Sequence, residues 1–258
     1  MPLCASTGAT ALPDTAAMGR SFLVAALIGC VSLLYATAGQ AGGTAFLAIM
    51  AFAAFPADEM RPTALLLNVV AASYATWRLH QAGAIDHKLL LKVTLPSLVT
   101  AFAGGLLVLG APVYFVLTGL LLIAAAALVA LKRATVDARR VRLLPATLAG
   151  AAAGFLSGVT GVGGGVFLTP LLIVLGWAPP RHAAALAPPF ILCNSAAGLA
   201  GVSLAGQTLA PGALFFSAGA LIGAVIGTAI GLRWMSERTT RYALAAILLF
   251  AGLRLLLR

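Results

Sequence analysis

Long apolar runs alternate with short polar stretches along almost the whole chain. Two of the runs, at 44–55 and 166–177, are too short to cross a bilayer upright. The others have roughly the length of about 20 residues that a spanning α-helix needs. They lie at 21–38, 62–79, 88–109, 112–131, 143–158, 183–200, 209–231 and 241–257. The pattern predicts an all-α protein that crosses a membrane several times.

The composition supports this prediction. Of the 258 residues, 62% are hydrophobic and 9% are charged, whereas a soluble domain carries about 25% charged residues. A net charge of +10 is also typical of nucleic-acid-binding proteins. Here, however, the basic residues fall mostly between the apolar runs, and no basic patch with interleaved aromatic residues is present. We therefore interpret them as topology signals and expect no nucleic-acid partner.

The chain contains an internal repeat. A shift of 122 positions aligns AGQAGGTAFLAIMAFAAFPADEM, from Ala38, with TGVGGGVFLTPLLIVLGWAPPRH, from Thr160. Three glycine pairs coincide in this alignment: Gly39 with Gly161, Gly42 with Gly164 and Gly43 with Gly165. Each half is then predicted to have five helical segments, of which the short second one follows a glycine-rich break.

The distribution of charge predicts that the two halves have opposite orientations in the membrane. The linker LKRATVDARRVR at 131–142 is strongly basic, so we expect it in the cytoplasm. The loop at 77–92 is also basic, whereas its second-half counterpart at 199–210 carries no charge. We therefore predict an inverted repeat with both termini outside. Whether the short segments cross the membrane or re-enter stays open.

We divide the chain into four parts. Residues 1–20 are an N-terminal segment that we expect to be disordered, because residues 1–17 are small and polar and show no helical period. Met18 is an alternative to Met1 as the start of translation. The remaining parts are the first membrane repeat at 21–131, the basic cytoplasmic linker at 132–142 and the second membrane repeat at 143–258.

The glycine breaks indicate a transporter. Inverted repeats with helices broken at equivalent positions are typical of transporters whose binding site lies near the middle of the bilayer. A helix that begins there presents about four unpaired N–H groups, and its dipole favours an anion. The alternative is that small residues only let helices pack closely. We prefer that alternative for Gly104 with Gly105 and for Gly219, Gly223 and Gly227.

Polar residues near the breaks are candidate ligands for the anion. Asn68 and Asn194 lie within long apolar runs, 126 positions apart, so their equivalence in the repeat stays open. Hydrogen bonding between helices explains each of them equally well. Serine and threonine side chains can also bond to their own helix. The predicted substrate-binding set is Gly39, Gln40, Gly42, Gly43, Thr44, Asn68, Ser157, Thr160, Gly161, Gly163, Gly164, Gly165, Val166, Thr169 and Asn194.

Ionisable residues lie at the ends of the apolar runs rather than within them. Arg61 and Arg181 follow the two short segments, and they either attract anions into vestibules or are ordinary loop cations. Because no carboxylate lies in an apolar run, we do not expect a proton relay through a buried acid. His182 and Glu59 are the groups that can titrate near a cavity mouth. The three cysteines have neither metal-site nor disulfide spacing, and we expect no metal, cofactor or catalytic residue.

The segment AGFLSGVTGVGGGVFLTPLLIVLGWAPPRHAAA, at 153–185, resembles the motif of the sulfite exporter TauE/SafE family, also called the four-toluene-sulfonate uptake permease family. AGQAGGTAFLAIM and HQAGAIDHKLLLK in the first half match more loosely. The resemblance covers residues 21–257 and implies transport of sulfite, thiosulfate, sulfonates or related small organic anions across the bacterial inner membrane. At Gln40 and Ala41 the first half lacks the full glycine run, so we expect the two sides of the site to be unequal.

We therefore predict a multi-pass transporter, in contact with the lipid bilayer, that exports sulfite or an organosulfonate by rocking one half against the other. The alternatives are an uptake permease or a channel for another small organic anion, since glycine loops also build filters, and a membrane-embedded enzyme or scaffold. The absence of a catalytic cluster disfavours an enzyme, and the short loops disfavour a scaffold. The sequence leaves the exact substrate, the direction of transport, the coupling ion and the oligomeric state open.

Overall fold

The computed structural model of the chain describes residues 15–131, 141–234 and eight residues between 242 and 256. Residues 1–14 and 132–140, which include most of the predicted N-terminal segment and of the basic linker, lie outside the described residues. In the described ranges the regular elements are all α-helices. They are α1 Thr15–Thr37, α2 Gly43–Phe52, α3 Ala57–Gln81, α4 His87–Leu106, α5 Ala111–Leu131, α6 Leu143–Thr160, α7 Gly165–Val174, α8 Pro180–Leu204 and α9 Ala213–Trp234.

Five of the described helices are long and apolar enough to cross a membrane. Large apolar side chains on their outer surfaces, such as Val99 and Leu148, are exposed, as a lipid environment requires. The predicted class, an all-α protein with several membrane spans, is confirmed. The five candidate spans are Gly19–Thr37, His87–Leu106, Leu143–Thr160, Pro180–Leu204 and Ala213–Gly231.

Matching backbone features recur in the two halves of the chain. The short helices α2 and α7 have 10 residues each, and the helices that follow them, α3 and α8, have 25 each. Left-handed backbone, which costs most residues energy, also recurs at matched positions. The pairs are Gly39 with Gly161, Gly42 with Gly164, Ala54 with Gly176 and Gly83 with Gly206. Within the described residues, these matches support a duplication.

Helices of one half pack in pairs against helices of the other half. α6 packs along α4, and α1 packs along α9, so each pair joins the two halves. Successive glycines of one helix touch the backbone of the other, with residue numbers rising together, so the paired helices are parallel. The contacts are Gly150 with Val93, Gly154 with Ser97 and Gly158 with Ala101, then Gly219 with Ala25, Gly223 with Gly29 and Gly227 with Leu33. The close-packing interpretation of Gly219, Gly223 and Gly227 is confirmed.

The centre of the protein is built by α3 and α8, which run antiparallel. Leu65 of α3 lies against Gly198 of α8, whereas Ala72, farther along α3, shares a buried cluster with Ala187, which is earlier in α8. α2 begins beside the middle of α3, at Asn68, and ends where α3 begins. With about 1.5 Å of rise per residue, α2 covers less than half of the length of α3.

The ends of the helices define two faces. We call the face that holds the loop 82–86 and the start of α6 the linker face, because the linker leads into α6 there. α3 ends and α4 begins on that face, and α8 begins beside it, since residues 82–86 and 181–182 line one cavity. The opposite face holds the ends of α4 and α6 and the start of α3.

The glycine contacts between α4 and α6 yield a stability prediction. A Cβ on Gly154 would overlap the Ser97 carbonyl oxygen, so Gly154→Ala forces the helices apart and costs roughly 1–3 kcal/mol through overpacking. We expect a lower thermal unfolding midpoint of the purified protein in detergent. The matched control is Gly110→Ala, because nothing lies within 4 Å of a Cβ on Gly110. Equal midpoints for the two variants would contradict the packing argument.

Candidate functional site

The two glycine breaks meet at the centre of the protein. Gly43, the first residue of α2, lies against the Val162 carbonyl oxygen and the Asn68 side chain. Gly165, the first residue of α7, lies against Ile191 and against Gln40 Oε1. Both breaks are buried. The fold therefore brings together two segments that are 122 positions apart in the sequence.

Each break carries a run of buried N–H groups without a partner. In the part of the chain that the structure describes, the main-chain N–H groups of residues 41–44 and 163–166 donate no hydrogen bond. The first paired donors beyond the breaks are those of Ala45 and Phe167. Buried main-chain donors are nearly always paired, so these two runs are unusual. Together with the positive ends of the two helix dipoles, they favour an anion.

Glycine is required at the N-caps of the two short helices. Gly42 has φ 112° and Gly164 has φ 79°, which is left-handed backbone that other residues seldom adopt. A Cβ on Gly42 would also lie 2.8 Å from the Phe46 ring, and one on Gly164 would lie 2.9 Å from the Phe190 ring. The glycines therefore give the breaks a backbone shape that a residue with a Cβ could not adopt without displacing these rings.

We call the place where the two breaks meet the crossing. Neutral polar side chains surround it, and several of their buried atoms lack partners. Gln40 Nε2 donates to Thr169 Oγ1 at 3.0 Å, whereas Gln40 Oε1 has no partner. Asn68 Nδ2 lies 3.5 Å from the Gly161 carbonyl oxygen, and Asn68 Oδ1 is unpaired. Rotation of either amide by a half-turn presents an N–H donor at the same point. The crossing therefore holds hydrogen-bonding capacity that the described protein atoms do not use.

Two serines belong to the same cluster. Ser157 was predicted, and its Oγ has no hydrogen-bond partner. A Cβ on Gly164 would lie 3.0 Å from the Ser157 Cβ. Ser195 was not predicted. It is fully buried, its Oγ is unpaired, and a Cβ on Gly163 would lie 3.0 Å from that oxygen. The signal for Ser195 was its place directly after Asn194, as the second of two polar residues in an apolar run.

The structure does not pair Asn68 with Asn194. The two 25-residue helices align with a shift of 123 positions, which places Asn68 opposite Ile191. Each of these two residues packs on the first residue of a short helix, Asn68 on Gly43 and Ile191 on Gly165. Asn194 Nδ2 instead donates to a carbonyl of its own helix, that of Phe190, at 2.8 Å. One side of the crossing therefore carries an amide and the other an aliphatic chain.

Other predicted residues hold the breaks in shape. Thr44 Oγ1 shares a hydrogen bond of 2.5 Å with the Tyr35 hydroxyl. Thr160 Oγ1 donates to the Leu156 carbonyl at 2.6 Å, and the Thr160 carbonyl accepts from the Tyr114 hydroxyl at 2.5 Å. These side chains use their hydrogen bonds within the protein. Their contribution to a site is therefore to position the backbone.

A cavity of about 690 Å³ leads from the linker face to the first break. Gly39 is among its lining residues, as are Asp86, Arg181 and His182. Arg181 and His182 are both exposed. Arg181 therefore lies at the mouth of an opening toward the crossing. A second cavity, of about 1060 Å³, lies beside α1 and α2 and reaches the opposite face, where Arg20, Glu59 and Pro211 line it. It is lined mainly by apolar residues and includes neither break.

Arg61 does not line either of these cavities. Its side chain is 2% exposed, and its guanidinium donates hydrogen bonds to main-chain carbonyl oxygens of Gly104, Gly105, Leu107 and Gly158. The two arginines that the sequence grouped together thus have different surroundings. Within the described residues, no group of three His, Cys, Asp or Glu side chains is placed to hold a metal ion.

A multi-spanning helical fold whose broken helices meet at a buried central site is the architecture of a membrane transporter. The family model described as sulfite exporter TauE/SafE matches residues 22–255, and the chain belongs to that family. The probable membrane transporter protein y4hK of Sinorhizobium fredii (strain NBRC 101917 / NGR234) is 31% identical over 250 residues, which cover 94% of this chain and 99% of that protein. No solved structure matches the chain. The predicted family resemblance is confirmed.

The unused hydrogen-bonding capacity of Asn68 yields a second stability prediction. Asn68→Leu removes a buried polar group that is poorly paired, so we expect the ligand-free protein to be as stable as the wild type or more stable, by up to about 1 kcal/mol. The control is Thr63→Val in the same helix, because Thr63 Oγ1 accepts a hydrogen bond of 2.9 Å from the Ala210 N–H. That variant should lose about 1 kcal/mol. Thermal unfolding in detergent without added anion distinguishes the two. Strong destabilisation by Asn68→Leu alone would show that Asn68 is a structural residue.

Proposed function

We propose that this protein transports a small oxyanion across the bacterial inner membrane and binds it where the two glycine breaks meet. The observation that carries the proposal is the pair of buried, unpaired N–H runs at 41–44 and 163–166. An anion at the crossing would accept hydrogen bonds from both runs and would lie at the positive ends of two helix dipoles. No side-chain cation is needed for such a site.

The neutral character of the crossing suits transport. The polar side chains there, both the predicted ones and Ser195, are amides and hydroxyls, which can donate to an oxyanion without adding a fixed charge. A transported ion must bind well enough to enter and weakly enough to leave, and a fully charged clamp would oppose release. Sulfite and organosulfonates present several oxygens around one sulfur atom, so they can accept from both N–H runs at once. The name of the family, which includes sulfite, supports this choice.

We propose further that the halves form an inverted repeat and that the linker face is cytoplasmic. The antiparallel arrangement of α3 and α8, which are equivalent helices, supports the inversion. Charge supports the orientation, because the exposed cations Lys88 and Arg181 lie on the linker face, to which the basic linker also leads. An anion that leaves an interior-negative cell gains about 2.3 kcal/mol per charge at 100 mV. Export therefore needs no ion partner, and alternating access would come from movement of one half against the other.

Flux of radiolabelled sulfite into proteoliposomes tests this function. At fixed pH, with a membrane potential positive inside the vesicles, we expect saturable uptake that thiosulfate or taurine inhibits and acetate does not. Vesicles without protein, and vesicles with the opposite potential, are the controls. Uptake that requires a proton gradient would contradict the proposed lack of coupling. Absence of specific flux for all of these anions under every gradient would overturn the proposed substrate class.

Asn68→Leu and Thr63→Val separate function from stability. We expect Asn68→Leu to lower sulfite flux about tenfold or more, because a lost hydrogen bond to the anion of about 1.4 kcal/mol corresponds to a factor of ten. Thr63→Val, although less stable, should retain flux per folded molecule. Flux is measured in proteoliposomes with matched amounts of folded protein. If both variants lose flux in proportion to their loss of stability, Asn68 does not bind the anion.

Arg181 at the cavity mouth gives a salt-dependent prediction. Arg181→Gln should raise the sulfite concentration for half-maximal flux a few-fold at low ionic strength, because the mutation removes a charge that attracts anions to the cavity. The difference from the wild type should shrink at about 0.5 M salt, where screening is strong. Lys88→Gln removes an exposed charge outside the cavity lining and is the matched control. A salt-independent effect of Arg181→Gln would argue against attraction of the anion through its charge.

A further inference from the structure

Arg61 joins three helices on the opposite face. From the first turns of α3, its Nη1 donates to the Leu107 carbonyl at 2.6 Å, and its Nη2 donates to the carbonyls of Gly104 and Gly105 at 2.6 and 3.1 Å. Nε and Nη2 both donate to the Gly158 carbonyl, at 3.0 and 2.5 Å. All of these acceptors are main-chain oxygens at the ends of α4 and α6. One side chain therefore fixes the start of α3 to the ends of two helices.

The charge of this guanidinium is balanced by helix ends rather than by an acid. The last carbonyls of a helix lack partners within the helix, and its C-terminus carries partial negative charge. α4 and α6 are parallel and both end here, so two negative helix ends converge on Arg61. Glycine at the acceptor positions allows the ends of α4 and α6 to approach each other. A Cβ on Gly104 would lie 2.6 Å from the Phe155 carbonyl oxygen, and one on Gly158 would overlap the Ala101 carbonyl.

The residue that occupies the same place in the other half is Ala184. The 123-position shift between α3 and α8 pairs it with Arg61. Equivalent contacts agree: a Cβ on Gly161 would lie 2.9 Å from the Arg61 side chain, and a Cβ on Gly39 would lie 2.5 Å from the Ala184 carbonyl oxygen. Each break thus contacts the equivalent position of a long helix, but only one of these positions, that of Arg61, carries a long side chain.

The space beside Ala184 is open. The cavity on the linker face is lined by Ala184, by Gly39, by residues 36–38 at the end of α1 and by Gly231 near the end of α9. The end of α1 corresponds to the end of α6, and α9 corresponds to α4. The cavity therefore occupies, on the linker face, the counterpart of the position that the Arg61 guanidinium occupies on the opposite face.

We infer that Arg61 is the gating residue of the opposite face and that the structure represents the state in which this gate is closed. This inference rests on the proposed transport function. When the opposite face opens, α3 separates from the ends of α4 and α6, and water replaces the carbonyl oxygens around the guanidinium. An arginine is solvated in both states, by carbonyls or by water, whereas an apolar plug would be exposed in one of them. Its several donors also bind more than one helix end at once.

Hydrogen exchange of the two faces tests the gate without a substrate. The matched segments are 36–39 and 82–86 on the linker face, and 158–161 and 205–209 on the opposite face. In wild-type protein we expect faster exchange at 36–39 than at 158–161. In Arg61→Gln, exchange at 158–161 should rise about tenfold or more while exchange at 36–39 falls, because opening of one face accompanies closure of the other. Mass spectrometry of the full-length protein in lipid nanodiscs gives all four rates.

The outcomes separate a gate from a structural support. Faster exchange in all four segments would mean that Arg61 only holds the fold together, and no change would mean that it does not control access; either result overturns the inference. Lys88→Gln, which removes an exposed cation, should leave both faces unchanged. A reciprocal change in exchange supports the gate even if sulfite flux is absent, in which case the substrate proposal alone fails.

A second variant keeps the inference testable if Arg61→Gln does not fold. Ala184→Arg places a guanidinium at the counterpart position, within reach of the carbonyls at the end of α1. We expect slower exchange at 36–39 and faster exchange at 158–161, the same direction as for Arg61→Gln. Unchanged exchange in a folded Ala184→Arg protein would overturn the equivalence of the two positions on which the gate depends.

Discussion

Leaving a main-chain polar group unpaired inside a membrane protein is costly, and the centre of this fold is organised around two places where main-chain N–H groups are unpaired. At 41–44 and 163–166 the donors precede helices that begin inside the protein, so no residue of the same helix can accept from them. Tyr35 and Tyr114 hold the neighbouring threonines. The unpaired donors are thus kept in a fixed geometry.

At the ends of α4 and α6 the main-chain carbonyl groups, rather than the N–H groups, lack partners within the helix, and Arg61 donates hydrogen bonds to them. Helix starts that lack acceptors form the proposed anion site, and helix ends that lack donors form the proposed gate. Both depend on backbones that approach closely at glycine. The glycine row between α4 and α6 therefore supports the proposed gate, because it brings two helix ends near enough for one side chain to join them.

The two halves differ at the central crossing and at the two faces. A strictly symmetric repeat would have the same residue beside Gly39 and Gly161, and the same residue on Gly43 and Gly165. Instead Ala184 opposes Arg61, and Ile191 opposes Asn68. The first difference leaves a cavity beside Ala184, where the counterpart position holds the Arg61 side chain, and the second leaves one side of the crossing polar and the other aliphatic. These two substitutions therefore distinguish the halves both at the proposed gate and at the proposed anion site.

The sequence by itself determined the class of fold, the repeat, the family and the position of both breaks, because hydrophobic runs and glycine spacing are local properties. It also identified the N–H runs, since a helix start implies unpaired donors wherever it lies. Only the tertiary structure decided that the breaks touch, that Ser195 belongs to the crossing, that Asn68 matches Ile191 and that Arg61 is buried while Arg181 lines a cavity. These depend on which helices pack together, and the register of antiparallel α3 and α8 is set by contacts between residues more than a hundred positions apart.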